Sequence, residues 1–271
     1  QVGINRKKMK FKHLISWTLA IMAIFFSLHP SDAGERVRLR VMSMNIKEGA
    51  LYASHRAEPY AELINKYSPD VVCLQEVDYM TIRNGKKDFL NELAEATGMF
   101  PYWCQSFSYQ GGGFGVAILS KYPFLKAEMI ISSIEGAREA RSTGWIYISL
   151  PEGGTVRVAT THLALESATI TTRNLADVNK HMFAEDERTP TLLIGDFNAT
   201  DDSDPIKYAK ITWQEIGAGT GFTIPSDKPN RKLDYVMGFP KKWKSERYEI
   251  IARPDLSDHC FVLADVIYEE K

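Results

Sequence analysis

The stretch Thr191-Leu192-Leu193-Ile194-Gly195-Asp196-Phe197-Asn198-Ala199-Thr200 decides how the rest of the chain is read. Leu192 to Ile194 is a short apolar run of the kind that forms a buried strand. Gly195 breaks the run, and an acid and an amide follow one residue apart. On an extended backbone, positions i and i+2 point to the same side. Asp196 and Asn198 can therefore look into one cleft at the carboxyl end of a strand, where open α/β sheets place ligands. A carboxylate beside an amide suits a water and a phosphate oxygen held near a divalent cation. The same residues could instead form an Asx-turn on their own backbone, and taken alone they favour it. The Asn198-Ala199-Thr200 sequon is set aside, because Asn198 has more to do inside a cleft.

Working outward, the same pattern recurs. Val37 to Ile46 alternates as a strand and ends at Asn45, with Lys47-Glu48-Gly49 as its exit loop. Glu58 to Tyr67 reads as a helix stopped by Ser68-Pro69. Val71 to Leu74 is a buried strand, and Gln75-Glu76 emerges from its end. A glutamate there either reaches solvent or serves as a metal ligand. Lys86 to Thr97 reads as a helix, and Tyr102 to Phe107 as a strand. Gly111-Gly112-Gly113-Phe114-Gly115 is not a phosphate loop: it lacks a Walker lysine and runs into Val116 to Leu119, a strand rather than a helix. It is expected to be a loop bordering the cleft.

Strands follow over residues 124–132 and 142–150. Arg141, at the head of the second, can either clamp a phosphate bidentately or pair with Glu139 or Glu135 at the surface. Thr155 to Thr161 alternates and ends in Thr161-His162-Leu163. Glu166 to Glu187 is a long polar helix leading into the opening strand. Asp234 lies within the apolar run Leu233 to Met237, where an exposed edge position is a poor explanation. Arg247 to Ala252 is a strand, and Ser257-Asp258-His259 precedes the closing strand, Cys260 to Ile267.

Of 271 residues, 44% are hydrophobic and 25% charged, so one sizeable core is expected and disorder is not. Met9-Lys10-Phe11-Lys12-His13, the apolar run Leu14 to Leu28, and Ser31-Asp32-Ala33 have the order of a secretory signal peptide cleaved after Ala33. The run is shorter than a spanning helix needs, so export is expected over membrane anchoring. Gln1 to Lys8 precede a better start at Met9 and read as an over-long gene start or an appended segment. The domain proper is then residues 34–271, in the periplasm, at the cell surface or secreted. Without residues 1–33 the chain holds 28 basic and 33 acidic residues, a net charge of −5, and has no basic stripe of the kind that non-specific nucleic-acid binding requires. Cys73, Cys104 and Cys260 form no CxxC pair, and no disulfide is expected.

Asn45, Gln75-Glu76, Thr161-His162-Leu163, Gly195-Asp196-Phe197-Asn198, Leu233-Asp234-Tyr235 and Ser257-Asp258-His259 follow one another in this order, each at the end of or within an apolar run. Together they resemble the endonuclease/exonuclease/phosphatase (DNase I-like) superfamily across residues 37–268. The stretch from Pro225 to Tyr235 is similar to its small secreted or bacterial metal-dependent hydrolases. The resemblance implies a four-layer α/β sandwich: two mixed sheets face to face, helices outside, and the site at one end. It implies Mg²⁺, or Mn²⁺ in its place, bound by Glu76 with Asn45 close by and Asp258 as a nearby or second-site ligand. His259, oriented by Asp234, would contact the phosphate or activate the attacking water. Asp196 and Asn198 would position that water and stabilise the transition state. His162 would bind the phosphate or assist the leaving oxygen, and Arg141 matches a phosphate-contacting arginine only loosely. The implied activity is a metal-dependent phosphoesterase that cleaves a phosphodiester or phosphomonoester by in-line attack of water. The alternative is an exported DNase I-like endonuclease acting on nucleic acid. A catalytically inactive binding module is disfavoured, since no expected polar position is lost. The partner expected is a phosphate-ester substrate (a small molecule, lipid head group or nucleic acid), with no stable protein partner and a monomeric chain.

Overall fold

Alternation along two pairs of parallel strands sets the architecture. The computed structural model describes residues 36–270, and the leader read from residues 1–33 lies outside them. Strand β1 (Arg36–Asn45) lies parallel to β2 (Val71–Tyr79), and β7 (Thr155–His162) lies parallel to β8 (Thr191–Asp196). Antiparallel strands extend each pair into a mixed sheet of six. The first sheet adds β3 (Phe100–Tyr109), β4 (Gly112–Ser120), β11 (Trp243–Ile251) and β12 (Phe261–Glu269) in the order β11-β12-β1-β2-β4-β3. The second adds β5 (Phe124–Ser132), β6 (Arg141–Ser149), β9 (Gln214–Ile216) and β10 (Asp234–Phe239) in the order β5-β6-β7-β8-β10-β9.

Three cores show the four layers of the expected sandwich. Val37, Leu39 and Val41 meet Val158, Leu192, Ile194 and Val236 between the sheets. The alternate residues Met42 and Met44 pack outward against Tyr60, Ile64, Phe89 and Leu93. These come from helices α1 (Glu58–Tyr67) and α2 (Phe89–Thr97). On the far side, Leu193, Tyr235 and Met237 pack against Leu175, Val178, Met182 and Ile206. These last come from α3 (Ala168–Glu185) and α4 (Asp204–Thr212). Residues of odd and even number on one strand thus serve different cores, as a period of two demands. Cys73, Cys104 and Cys260 are buried free thiols.

The structure corrects several boundaries. The glycine-rich run is not a loop: Gly112 to Gly115 lie in β4, and only Gly111 belongs to the turn. Helix α2 begins at Phe89 rather than Lys86, because Asp88 caps it by accepting from the Asn91 amide at 3.2 Å. Helix α3 begins at Ala168, after the Ser167 cap, while Glu166 accepts from the Arg138 amide instead. Strand β11 starts at Trp243, and a register shift between Ser245 and Arg247 hides its first half from any alternation pattern.

Gly195 shows how closely β7 and β8 approach. Its φ is +147°, and a Cβ there would stand 2.0 Å from the Thr161 carbonyl oxygen. That oxygen belongs to the backbone and cannot swing aside. Gly195→Ala is expected to destabilise the protein by on the order of 1–3 kcal/mol, as overpacking does. A thermal midpoint equal to that of the wild type would contradict the close approach.

Candidate active site

Carried to the strand ends, the alternation that builds the inter-sheet core delivers polar residues instead of apolar ones. On β1, Val37, Leu39 and Val41 are followed on the same face by Ser43 and Asn45. On β7, Val156 and Val158 are followed by Thr160 and His162. On β8, Leu192 and Ile194 lead to Asp196, and on β10 Val236 leads back to Asp234. His162 and Asp196 are neighbours across the parallel pair, and Asp196 and Asp234 across the antiparallel one. A buried polar layer underlies them: Gln75 Nε2 donates to Thr160 Oγ1 of the opposite sheet at 3.1 Å.

Glu76 reaches the site by a different device. Strict alternation would turn it toward the helices. The register of β2 against β4 shifts between Leu74 and Val77, and Glu76 takes a φ of +59°. A bulge of this kind re-aims a side chain. The carboxylate then accepts from Asn45 Nδ2 at 3.1 Å and from the Glu48 amide at 3.0 Å. Lys47 to Ala50 form a left-handed turn with φ of 47°, 49°, 68° and 67°. Each non-glycine residue there costs roughly 1–2 kcal/mol. The turn sets the Lys47 ammonium 3.4 Å from Asp258 Oδ2. Burial alone would lower the Lys47 pKa, but Glu76 and then Asp258 hold it above its ordinary value.

Asp196 is the centre of the cluster. It is buried, and its oxygens accept from the Asn198 amide at 2.8 Å and from Asn45 Nδ2 at 3.1 Å. His162 Nε2 stands 3.6 Å and His259 Nε2 3.7 Å from Asp196 Oδ2. Burial raises the Asp196 pKa, and the two imidazoles offset that only in part. His259 Nδ1 lies 2.9 Å from Asp234 Oδ2, the pairing that the family resemblance implies, and donates to it. Burial works against the imidazolium, yet the charge and hydrogen bond of Asp234, with Asp196 and Asp258 adding, push the His259 pKa up to about 10. His162 is the opposite case. Burial and the Arg141 charge push its pKa down to about 3, against the pull of Asp196.

Arg141 makes the ion pair that was one reading of it and also turns inward to the site. Its Nη2 stands 3.6 Å from Glu139, as a surface pair would, but the side chain is buried and Nη1 lies 3.3 Å from His162 Nδ1. A guanidinium can only donate, so His162 Nδ1 accepts and its proton sits on Nε2, facing Asp196. Arg141 Nε is buried without a partner. Asn198 does not continue the strand: its φ is +48°, its backbone amide closes the Asx-turn on Asp196, and its side-chain amide donates to the Leu163 carbonyl at 2.8 Å, so the two residues meet at the cavity through a turn and not on extended backbone.

The cluster opens into a cavity of about 440 Å³, which Lys47, Glu76, Arg141, Asp258 and His259 all line. Two groups in it could hold a cation. Ligand atoms of Asp196, Asp234 and His259 lie within 4.8 Å of one another, but Asp234 and His259 already satisfy each other. Glu76 and Asp258, with Asn45 beside them, offer oxygen donors, and Asp258 Oδ1 is buried with no hydrogen-bond partner. An orphaned carboxylate oxygen in an all-oxygen set fits a hard divalent ion better than the paired group does. Lys47, Glu48, Asp78 and Arg83 also belong to the surroundings of the site and were not singled out from the sequence. Lys47 and Glu48, directly after Asn45, were in plain view, whereas nothing local marks Asp78 or Arg83.

The model of the family described as endonuclease/exonuclease/phosphatase matches residues 42–259. No curated protein sequence matches the chain. Among solved structures, a functionally unknown conserved protein from Enterococcus faecalis superposes with a TM-score of 0.73 at 20% identity, covering 85% of this chain and 100% of its own. A mannosyl-6-phosphatase from Bacteroides thetaiotaomicron gives 0.69 at 14% identity, covering 84% and 99%. The human Nocturnin catalytic domain with bound sulfate gives 0.67 at 19% identity, covering 86% and 96%. At such identities the likeness is one of fold.

The two site histidines are expected to titrate on opposite sides of an ordinary imidazole. In metal-free protein followed by NMR of the ring nitrogens, His259 keeps its proton well above pH 6.5 and loses it near pH 10. His162 stays neutral well below pH 6.5. Two transitions clustered near pH 6.5 would mean that neither burial nor Asp234 acts as the geometry indicates.

Proposed function

We propose, for a chain that belongs to the endonuclease/exonuclease/phosphatase family, a phosphoesterase activity that requires a divalent cation and proceeds by in-line attack of water. The observation that carries this reading is the buried Asp196 carboxylate between two imidazole Nε2 atoms, at the mouth of a cavity that also holds Glu76 and Asp258. Glu76 and Asp258, with Asn45 close by, would hold Mg²⁺ or Mn²⁺. The cation would supply neutralisation of the ester's negative charge.

The remaining work falls to the chain's own groups. Asp196, desolvated and with its pKa raised, holds the attacking water and draws its proton, while the Asn198 amide fixes the carboxylate's angle. Asp234 occupies His259 Nδ1, so that Nε2 is left to donate to a phosphate oxygen. His162 donates from Nε2 as well, with its tautomer set by Arg141. The unpartnered Nε of Arg141 is a further donor for an anion. Donors aimed at an oxygen that gains charge in the transition state lower the barrier without reorganising. Export is part of the same proposal, supported by the order of basic, apolar and small residues over positions 9–33.

Hydrolysis of bis-p-nitrophenyl phosphate, p-nitrophenyl phosphate and plasmid DNA, with and without Mg²⁺ or Mn²⁺, tests the activity. Hydrolysis of an ester only with a cation is expected, and none under any condition would sink the reading. Glu76→Gln is expected to abolish metal-dependent turnover and weaken Mg²⁺ binding in calorimetry while leaving the thermal midpoint of the metal-free protein near wild type. Unchanged rate and affinity would exclude Glu76 as a ligand.

His259→Ala is expected to slow turnover by on the order of 10²–10⁴-fold, and Asp234→Asn to slow it substantially. The double variant should be little worse than the worse single one, because a pair acting as a unit is non-additive. Full additivity would mean that the two residues act separately.

A further inference from the structure

The cavity has a wall that the chemistry above does not use. Phe107, Tyr109 and Phe114 line it, with Arg83 beside them. All three rings come from the β3–β4 hairpin. Its register shifts between Gln105 and Phe107, which places Phe107 opposite Phe114. Their centroids are 5.3 Å apart at 39°, and Phe107 meets Tyr109 edge-on at 6.3 Å and 87°. Phe107 and Tyr109 are half-buried, with Phe114 buried beneath.

The glycine-rich run, which no phosphate chemistry explains, has its purpose here. A Cβ on Gly112 would stand 2.2 Å from the Tyr79 carbonyl oxygen, and one on Gly115 2.1 Å from that of Cys104. Glycine on both sides of Phe114 lets β4 press against β2 and β3 at once, and this brings the ring to the cavity.

Arg83 braces the wall. It donates to both oxygens of the buried Asp78, at 2.6 and 2.9 Å, and to Glu48 at 3.2 Å. Its guanidinium carbon lies 4.7 Å from the Tyr109 ring centroid and 5.5 Å from that of Phe114. With every nitrogen already engaged by carboxylates, Arg83 is no anion receptor. The Glu48 amide donates to Glu76, so the wall stands next to the groups that handle the ester.

We infer that this wall is the subsite for the organic part of the ester, and that it takes an uncharged ring, a sugar or a nucleoside, on its aromatic face. Ordered rings offer a large contact area at little entropic cost, and a sugar or base presents a matching flat face. The inference deepens the phosphoesterase reading and rests on it for the identity of the anionic end.

Glucose 6-phosphate, adenosine 5′-monophosphate and the acyclic glycerol 3-phosphate separate the possibilities, used with wild type, Phe107→Ala and Phe107→Leu. The leucine keeps apolar volume without a ring face, and so carries the test if the alanine variant does not fold. Both variants are expected to lower kcat/KM for at least one ring-bearing ester by about tenfold, the loss typical of a removed stack. Glycerol 3-phosphate should change by less than about twofold. Saturation-transfer NMR without added metal is expected to place the strongest contact on the sugar or base ring, which distinguishes the two, and to lose it in Phe107→Leu. Equal losses on ring-bearing and acyclic esters, or no transfer to either ring, would overturn the subsite. Ring contact without hydrolysis of any ester would leave the subsite standing and remove the phosphoesterase reading instead.

Discussion

A carboxylate buried to the extent of Asp196 has to be surrounded by donors, and that requirement organises the end of the sandwich. An unpaired charge at such depth would cost far more than the margin by which a domain is stable. Two amides, from Asn45 and Asn198, hydrogen-bond to it, and two imidazoles, from His162 and His259, stand 3.6 and 3.7 Å away. They come from both sheets. The carboxylate therefore ties β1 and β12 to β7 and β8, and the site cannot form unless the sheets are face to face. Fold and site are one construction. The same desolvation that makes the group expensive raises its pKa and gives it basicity.

The environments of the two imidazoles are pushed apart by their second neighbours. His259 has a carboxylate on Nδ1, and His162 has a guanidinium there. With similar burial and the same central carboxylate, the partner on the far nitrogen decides which ring is charged. Opposite protonation states at one site allow one ring to carry charge against a phosphate while the other gives a neutral hydrogen bond. A pair of identical partners would remove that division of labour.

Much of this was legible in the sequence because the strands are regular. Asn45, His162, Asp196 and Asp234 each continue an inward alternation, so the sequence shows them as polar residues at the end of or within apolar runs, although the face they share is set by how the two sheets meet. Glu76 was visible as a polar residue after Val71 to Leu74, but its direction was not. It depends on a bulge in β2 and a positive φ, which no local pattern announces. Phe107 and Phe114 were hidden for the same reason. Their pairing depends on a register shift, and the glycines around Phe114 suggested a loop until close approach to Tyr79 and Cys104 explained them. Arg83 lay in an aperiodic connection, and its meaning comes from Asp78 and from rings on the next hairpin. Regular segments disclose their contents; departures from regularity need the neighbours.

Those departures gather at the cavity. β4 itself runs without an extra residue, and the bulges lie in its two neighbours: in β2 between Leu74 and Val77, at Glu76, and in β3 between Gln105 and Phe107. The left-handed turn Lys47 to Ala50 and the positive φ of Asn198 lie at the same cavity. Strained backbone persists only where the surroundings over-determine it. Here the surroundings are the inter-sheet core below and the Arg83–Asp78–Glu48 brace above, the latter reaching Glu76 through the Glu48 amide. One side of the cavity thus holds a carboxylate suited to a cation and a flat apolar face. The other side carries His162 and Arg141, from β7 and β6 of the second sheet, and His259, from the loop before β12 of the first. Asp196, Asp234 and His162 stand at the ends of regular strands, while Glu76 and the aromatic face are placed by the bulges of β2 and β3 on either side of β4. A change of substrate in such a fold is therefore most readily made on the hairpin, where the inter-sheet core does not have to be rebuilt.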